Sequence, residues 1–284
     1  MIRWIVLFIV CVLVSLPAQA GLIRDRMAAR AATRDLNVLR DVAYGADAAQ
    51  KMDVYSPHHP KGAPVIVFVH GGGWRTGDKA NPNVITNKVP YWVGKGAIVV
   101  SVNYRMLPTD VYSQAADVAR AIAFVQKNAA SWGGDISRMA VSGHSAGAHL
   151  IMLVANDPAL ASGILPWRAS VVLDSAAYDV PRLMQAPHLP LYDNAFGADQ
   201  DFWRRVSPHD ALRGRVPPAL LVCSSQRRES CPVAQAYAAK AGALGNVVEV
   251  LPQDMTHAEI NANLGTPGAY TDAVDVFLKA QGLF

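Results

Sequence analysis

The feature that most constrains the fold is an alternation of short apolar runs with longer segments of helical spacing. Residues 65–69 are continuously apolar and mostly β-branched, as expected for a strand buried on both faces of a parallel sheet. Further strands are predicted at 97–102, 139–142, 170–173, 219–223 and 247–251, and helices at 111–130, 146–155, 232–241 and 270–280. This order predicts an α/β fold with a mostly parallel central sheet and helices on both faces.

Composition excludes several other classes of protein. The chain has 284 residues, of which 51% are apolar and 17% charged, so it is neither disordered nor fibrous. The net charge of +4 is scattered along the chain, which argues against a nucleic-acid groove. We find no internal repeat, and a chain of this length can bury a large core as one domain.

The first twenty residues predict an export signal. Arg3 precedes an apolar run, and Ala18-Gln19-Ala20 has the small-x-small form of a cleavage site before Gly21. Residues 21–284 would then be the mature catalytic domain, periplasmic or secreted, beginning with an Ala- and Arg-rich lead-in of helical spacing over 21–40. The alternative is an uncleaved N-terminal anchor.

Cleavage would remove Cys11 and leave two cysteines. Cys223 and Cys231 are eight positions apart, which suggests a disulfide that closes a small loop in an oxidising compartment. Two free thiols in or near the core are the alternative.

The sharpest chemical signal is Gly143-His144-Ser145-Ala146-Gly147 between a predicted strand and a predicted helix. A Gly-x-Ser-x-Gly in that context is a nucleophile elbow, in which a tight turn exposes the serine hydroxyl above the sheet. We therefore expect Ser145 to be a nucleophile.

A second signal follows the 65–69 strand. In His70-Gly71-Gly72-Gly73-Trp74 the glycines let backbone N–H groups approach a reacting atom. The N–H groups of Gly72, Gly73 and Ala146 are predicted to form an oxyanion hole, with His70 orienting the loop. The loop lacks the Gly-Lys-Ser/Thr ending of a phosphate-binding loop.

The predicted base is His257, which follows the last strand and comes last in the order serine, acid, histidine. Its rival, His144, occupies the elbow beside Ser145 but is expected to point away from it. No histidine pair has metal-ligand spacing, so neither a metal nor another cofactor is expected.

The predicted acid is Glu229, the carboxylate in the loop after the 219–223 strand. The proposed Cys223–Cys231 bridge would close this loop and hold the carboxylate near His257. Glu229 could instead be a solvated charge paired with Arg227 or Arg228. Asp174, Asp179 and Asp254 are the alternative acids.

Residues 175–218 interrupt the alternation and are aromatic and Pro-rich. The segment is too long for an ordinary connection, so it is a candidate lid or substrate wall. Trp74, Tyr178 and Trp203 suggest an apolar substrate pocket, although they could also be core residues.

These motifs resemble the α/β-hydrolase superfamily, specifically esterases and lipases with an HGGG loop of the hormone-sensitive-lipase kind. Residues 143–150, 52–57 and 257–261 are similar to a branch that includes carboxylesterases, feruloyl esterases and kynurenine formamidases. The resemblance runs from about Val42 to the C-terminus and implies an α/β-hydrolase fold and hydrolysis of a small-molecule ester. Members of this branch usually carry an aspartate where this chain has Arg228, so the acid is displaced to Glu229, supplied from elsewhere or missing.

Three functions follow from these observations. The first is a serine carboxylesterase acting through an acyl-enzyme, with no cofactor and no stable membrane anchor once the signal is cleaved. The second is an arylformamidase with the same mechanism. The third, motivated by Arg228, is a non-catalytic binding protein of the same fold.

Overall fold

A computed structural model describes residues 27, 28 and 31–284, and the predicted export signal lies outside them. Within this part, eight strands form one sheet in the order β1-β2-β4-β3-β5-β6-β7-β8. The strands are β1 (Asn37–Ala43), β2 (Lys51–Ser56), β3 (Ala63–Val69), β4 (Ile98–Val102), β5 (Gly134–His144), β6 (Ala169–Leu173), β7 (Ala219–Ser224) and β8 (Val248–Gln253). The predicted mostly parallel α/β sheet is confirmed.

Two strands at one edge depart from the prediction. β1 pairs antiparallel with β2, and β2 pairs antiparallel with β4, whereas the other strands are parallel. β1 takes up the end of the predicted helical lead-in, so the helical spacing was the wrong interpretation there. Most side chains of β1 are exposed because it is an edge strand, which leaves no apolar alternation for the sequence to display.

Helices connect the strands and cover both faces of the sheet. They are α1 (Pro82–Ile85), α2 (Lys88–Gly94), α3 (Val111–Asn128), α4 (Ala146–Asn156), α5 (Val180–Gln185), α6 (Pro190–Phe196), α7 (Gln200–Arg205), α8 (Pro208–Ala211), α9 (Ser230–Ala243), α10 (His257–Asn263) and α11 (Ala269–Ala280). α3 begins at Asp110, whose side chain accepts a hydrogen bond from the Ser113 N–H. Two buried apolar clusters, one on each face, hold these helices to the sheet.

Four short helices, α5 to α8, form the long segment between β6 and β7. Among the residues described, none of the helices combines the length and apolarity needed to cross a lipid bilayer.

The register brings the chemically active residues to one edge. Val69 of β3 lies opposite Gly143 of β5, and His144 lies opposite Leu173 of β6. Leu173 in turn lies opposite Val222 of β7. Because these strands are parallel, the residues that follow each of them gather at the same carboxyl edge of the sheet.

Candidate active site

Ser145 lies at the turn between β5 and α4 in a backbone conformation that is rare for a residue with a side chain. Its φ is 56° and its N–H donates to the Leu173 carbonyl over 2.9 Å. A Cβ on Gly147 would lie 2.2 Å from the Val69 oxygen, and one on Gly143 would lie 2.7 Å from the Gly147 carbonyl. Gly147 is therefore required by the close packing of the elbow on β3, and Gly143 by its close packing on the first residues of α4.

The glycine loop after β3 is also sterically constrained. Gly72 has a φ of 122° and Gly73 one of 58°, and a Cβ on Gly72 would lie only 1.8 Å from the Thr76 oxygen. The Gly72 carbonyl accepts from the Thr76 N–H at 3.0 Å, which closes the loop. Ala146 begins α4, so its N–H has no acceptor within the helix and is available to an anion.

His70 is buried and stacks on Tyr104, with 4.7 Å between ring centroids. Its Nδ1 donates to the Gly71 carbonyl over 2.7 Å. Burial lowers the pKa of His70, so the ring is neutral. The ring contacts the loop backbone, which is the orienting position expected from the sequence.

His257 is the first residue of α10. Thr256 caps this helix, and the reciprocal hydrogen bonds between Thr256 and Glu259 form a capping box. His144 donates from Nε2 to the His257 carbonyl over 3.0 Å. Burial lowers the pKa of His144 to about 3, so His144 is a neutral support for His257 rather than a rival base.

The carboxylate that meets His257 is Asp174, which directly follows β6. Its Oδ2 lies 2.5 Å from His257 Nδ1, and its Oδ1 accepts from the Ser224 N–H at 3.0 Å and from the Ser230 hydroxyl. The side chain of Asp174 is fully buried. Burial opposes ionisation, but the hydrogen bonds from His257 and Ser230 and a nearby guanidinium hold the pKa of Asp174 well below its usual range.

Glu229 does not occupy the position that the sequence predicts for it. Its side chain is half exposed at the start of α9, and its Oε1 accepts from Arg227 Nη2 at 2.8 Å. This is the surface ion pair that sequence reasoning left open. Asp174 follows β6, the strand beside β7, and its carboxylate rather than that of Glu229 contacts His257.

The other two candidate acids have different partners. Asp179 caps α5 by accepting from the Arg182 N–H at 3.1 Å. Asp254 is exposed and accepts from the Gln226 side chain at 3.0 Å. Arg228, at the position where the resembled branch usually has its acid, is exposed.

Ser145, His257 and Asp174 line one cavity of about 550 Å³ together with Gly72 and Gly73. Trp74 also lines it, and its Nε1 donates to His149 Nδ1 at 3.3 Å. The cavity therefore brings together the predicted nucleophile, base and oxyanion loop.

Two predicted pocket aromatics lie elsewhere. Tyr178 is buried against Tyr237, with ring centroids 5.4 Å apart. Trp203 donates from Nε1 to the Gly197 carbonyl over 3.0 Å, within the 175–218 segment. Neither lines the cavity, because the segment packs these rings inward or against its own backbone.

Sequence reasoning missed several cavity residues. The segment 175–218 does contribute a wall, as expected, but through residues 175–177, α6 and the residue before α6 rather than through Tyr178 or Trp203. Arg227 was noted only as a partner for Glu229. The missed lining residues include Thr76, Asn81, Asn83, Ser175, Ala176, Ala177, Leu189, Leu191, Tyr192, Arg227, Ala258 and Asn261.

The predicted disulfide between Cys223 and Cys231 is present and joins the end of β7 to the start of α9. It closes the loop that carries Arg227 and Glu229.

Outside the cavity, ligand atoms of Asp179, His209 and Asp210 lie within 4.8 Å of one another, which is the one such group among the described residues. These three side chains are partly exposed, and His209 Nδ1 lies 3.9 Å from a carboxylate oxygen of Asp179 and 3.9 Å from one of Asp210.

The chain is similar in sequence to proteins that are named ester hydrolases. Residues 52–162 match the BD-FAE family model. A probable carboxylic ester hydrolase of Mycobacterium tuberculosis, LipM, is 31% identical over 70% of this chain and 48% of its own length. An isoprenylcysteine alpha-carbonyl methylesterase of Arabidopsis thaliana is 28% identical over 78% of this chain and 57% of its own. The matched part is thus only about half the length of these two relatives.

Solved structures extend the likeness over most of the chain. The native form of a thermophilic esterase, Est2, from Thermogutta terrifontis has a TM-score of 0.72 at 22% identity, covering 89% of this chain and 94% of that one. Esterase B from Lactobacillus rhamnosis has a TM-score of 0.70 at 20% identity, covering 94% and 93%. With its sheet order, its nucleophile elbow and these likenesses to solved structures, the chain has the α/β-hydrolase fold.

Proposed function

We propose that this protein is a serine hydrolase of carboxylic esters with small-molecule substrates. The observation that carries the proposal is the convergence of Ser145, on its constrained turn, with the His257–Asp174 pair in one cavity. The sequence similarity to named ester hydrolases supports the same reaction class.

In the proposed acylation step, the Ser145 oxygen attacks the ester carbonyl carbon. His257 Nδ1 is engaged by Asp174, which leaves Nε2 to take the serine proton. The carbonyl oxygen becomes an oxyanion and accepts hydrogen bonds from the N–H groups of Gly72, Gly73 and Ala146. The carbon–oxygen bond to the leaving alcohol then breaks as His257 returns the proton to that alcohol.

Deacylation repeats the sequence with water as the nucleophile. His257 accepts a proton from water as the water oxygen bonds to the acyl carbon, and the Ser145 oxygen leaves with that proton. The buried Asp174 stabilises the imidazolium in both steps. No metal or cofactor is needed for any of these proton transfers.

The arylformamidase alternative uses the same residues, and no observation in the cavity favours a formamide over an ester. The non-catalytic alternative was motivated by the missing acid at Arg228. The structure weakens that argument, because Asp174 provides a buried carboxylate beside His257 from another loop.

We also propose that the protein is exported. The support is the signal-like pattern of residues 1–20 together with the Cys223–Cys231 disulfide, since disulfides persist outside the cytoplasm.

Ser145→Ala tests the proposed reaction. We expect hydrolysis of p-nitrophenyl acetate to fall by about a thousandfold or more, because the acyl-enzyme cannot form. A fluorophosphonate probe should label the wild-type chain and not this variant. Ser131→Ala, at an exposed serine after α3, is the matched control and should keep full activity and labelling. Full activity in Ser145→Ala would contradict the proposal.

A further inference from the structure

Arg227 lies where three groups of the candidate site meet. Its Nη1 is 2.8 Å from Asp174 Oδ2 and 3.0 Å from His257 Nδ1, and its Nη2 is 2.8 Å from Glu229 Oε1. The side chain is 21% exposed and lines the cavity. A guanidinium therefore sits directly against the pair that the proposed mechanism uses as base and acid.

The proton positions decide what the contact with His257 means. Nδ1 must carry a hydrogen in order to donate to Asp174, so it has no lone pair for a hydrogen bond from Arg227. The 3.0 Å approach is then an unfavourable contact of two donors that share one acceptor oxygen. When the imidazole gains a second proton, the contact becomes one of two cations.

Several other polar groups surround His257. His144 at the end of β5 has its ring centroid 4.4 Å from that of His257, and Asp174 after β6 and Arg227 after β7 contact Nδ1. Further out, Glu229 pairs with Arg227, Tyr192 on α6 lines the same cavity, Glu259 on α10 pairs with Thr256, and Lys88 on α2 acts electrostatically on His144. His144 is neutral, burial raises the pKa of Tyr192, and Glu259 is engaged by Thr256. The Lys88 amine donates to the Asn83 and Asn261 carbonyls, away from His257. Among the residues described, the cation in direct contact with the imidazole is Arg227.

We infer that Arg227 is a positioning residue that holds Asp174 in place and opposes accumulation of the His257 imidazolium in the free enzyme. This inference rests on the proposed function. Arg227 acts in two ways. Its guanidinium repels a second proton on the His257 ring, and it partly neutralises the negative charge of Asp174 that would stabilise that proton. Glu229 counteracts it from the solvent side by pairing with the same guanidinium.

The test is the pH dependence of kcat/KM for p-nitrophenyl acetate. Arg227→Met removes the charge and keeps the unbranched stem of the side chain, so we expect the midpoint of the acidic limb to rise by about one pH unit. Arg227→Lys keeps the charge and should restore most of the wild-type midpoint. Arg228→Met, at the exposed neighbour, should leave the midpoint unchanged.

Glu229→Gln supplies a second test, at a half-exposed side chain, in which the midpoint should move in the opposite direction. Removing this carboxylate leaves the guanidinium less compensated, so the midpoint should fall by about a few tenths of a pH unit. A purely structural role for Arg227 would lower activity at every pH without moving the limb.

The outcomes separate the inference from the proposed function. Unshifted acidic limbs in both Arg227→Met and Glu229→Gln, with fluorophosphonate labelling of Ser145 intact, would overturn the inference alone. A wild-type chain that is neither labelled at Ser145 nor active would overturn the proposed function and this inference with it. If Arg227→Met does not fold, the Glu229→Gln shift decides the inference by its sign.

Discussion

At the scale of single residues, two carboxylates of the site have opposite environments. Asp174 is buried against His257, and Glu229 is half exposed on Arg227. We expect Asp174→Asn to lower kcat/KM by about a thousandfold or more, because an amide can neither stabilise the imidazolium nor hold the right tautomer. Glu229→Gln should change kcat/KM at neutral pH by less than about threefold, since a surface pair contributes little.

The positive φ at Asp174 does not affect the comparison of Asp174→Asn with Glu229→Gln. Asp174 has a φ of 48°, and asparagine is among the residues that adopt this region readily. Both substitutions are isosteric, and kinetics at pH 8 with circular dichroism as the folding check would decide between them. The opposite ranking, with Glu229→Gln the inactive variant, would restore the acid that sequence reasoning favoured.

At the scale of elements, a buried lysine ties the helix that carries His257 to its neighbours. Lys88 of α2 is fully buried, and its amine donates to the carbonyls of Asn83 on α1 and Asn261 on α10. The amine also lies 5.2 Å from the centre of the Phe68 ring. Burial lowers the pKa of Lys88 to about 7.

This shift makes a prediction about stability. Between pH 7 and the ordinary lysine pKa of about 10.4, the unfolded chain binds more protons at Lys88 than the folded one, so stability rises with pH at this residue. Relative to Lys88→Met, the wild-type free energy of unfolding should gain about 2 kcal/mol between pH 7 and pH 9. Urea unfolding of both proteins at pH 7 and pH 9 measures this change in the free energy of unfolding.

Lys95→Met is the matched control for Lys88. Lys95 ends the same helix but pairs with Asp275, which raises the pKa of Lys95, so its charge does not change between pH 7 and pH 9. The free energy of unfolding of Lys95→Met should change between pH 7 and pH 9 by the same amount as that of the wild type. If Lys88→Met also showed the same pH-dependent change as the wild type, the buried amine would keep its proton across this range.

At the scale of the whole molecule, compartment and stability are coupled through the disulfide. An exported chain should begin at Gly21 and lack two hydrogens until a reductant is added, which intact mass resolves. Replacing Cys223 and Cys231 by serine should lower the free energy of unfolding by about 2 kcal/mol, as a loop of this size implies. A mass that retains residues 1–20 would contradict cleavage of the signal, and a mass unchanged by reductant would contradict the disulfide.

Much of the fold could be predicted because buried parallel strands appear in the sequence as apolar runs. The six predicted strands and four predicted helices all form, with ends within a few residues except that β5 begins five residues earlier. β2 was not predicted, because its buried Asp53 interrupts the apolar pattern. That carboxylate is paired with Lys79 at 2.8 Å and Arg40 at 3.3 Å, partners from other parts of the chain that no local pattern reveals.

By itself the sequence determined the α/β class, the serine elbow, the glycine loop, the histidine after the last strand and the cysteine pair. Each of these depends on local backbone requirements or on chain order. Only the tertiary structure decided which carboxylate meets His257, because β6 and β7 are neighbours and both present an acid near the same sheet edge. The direction of each side chain settles the matter: Asp174 points into the buried cavity wall, and Glu229 points to solvent, with Arg227 between them.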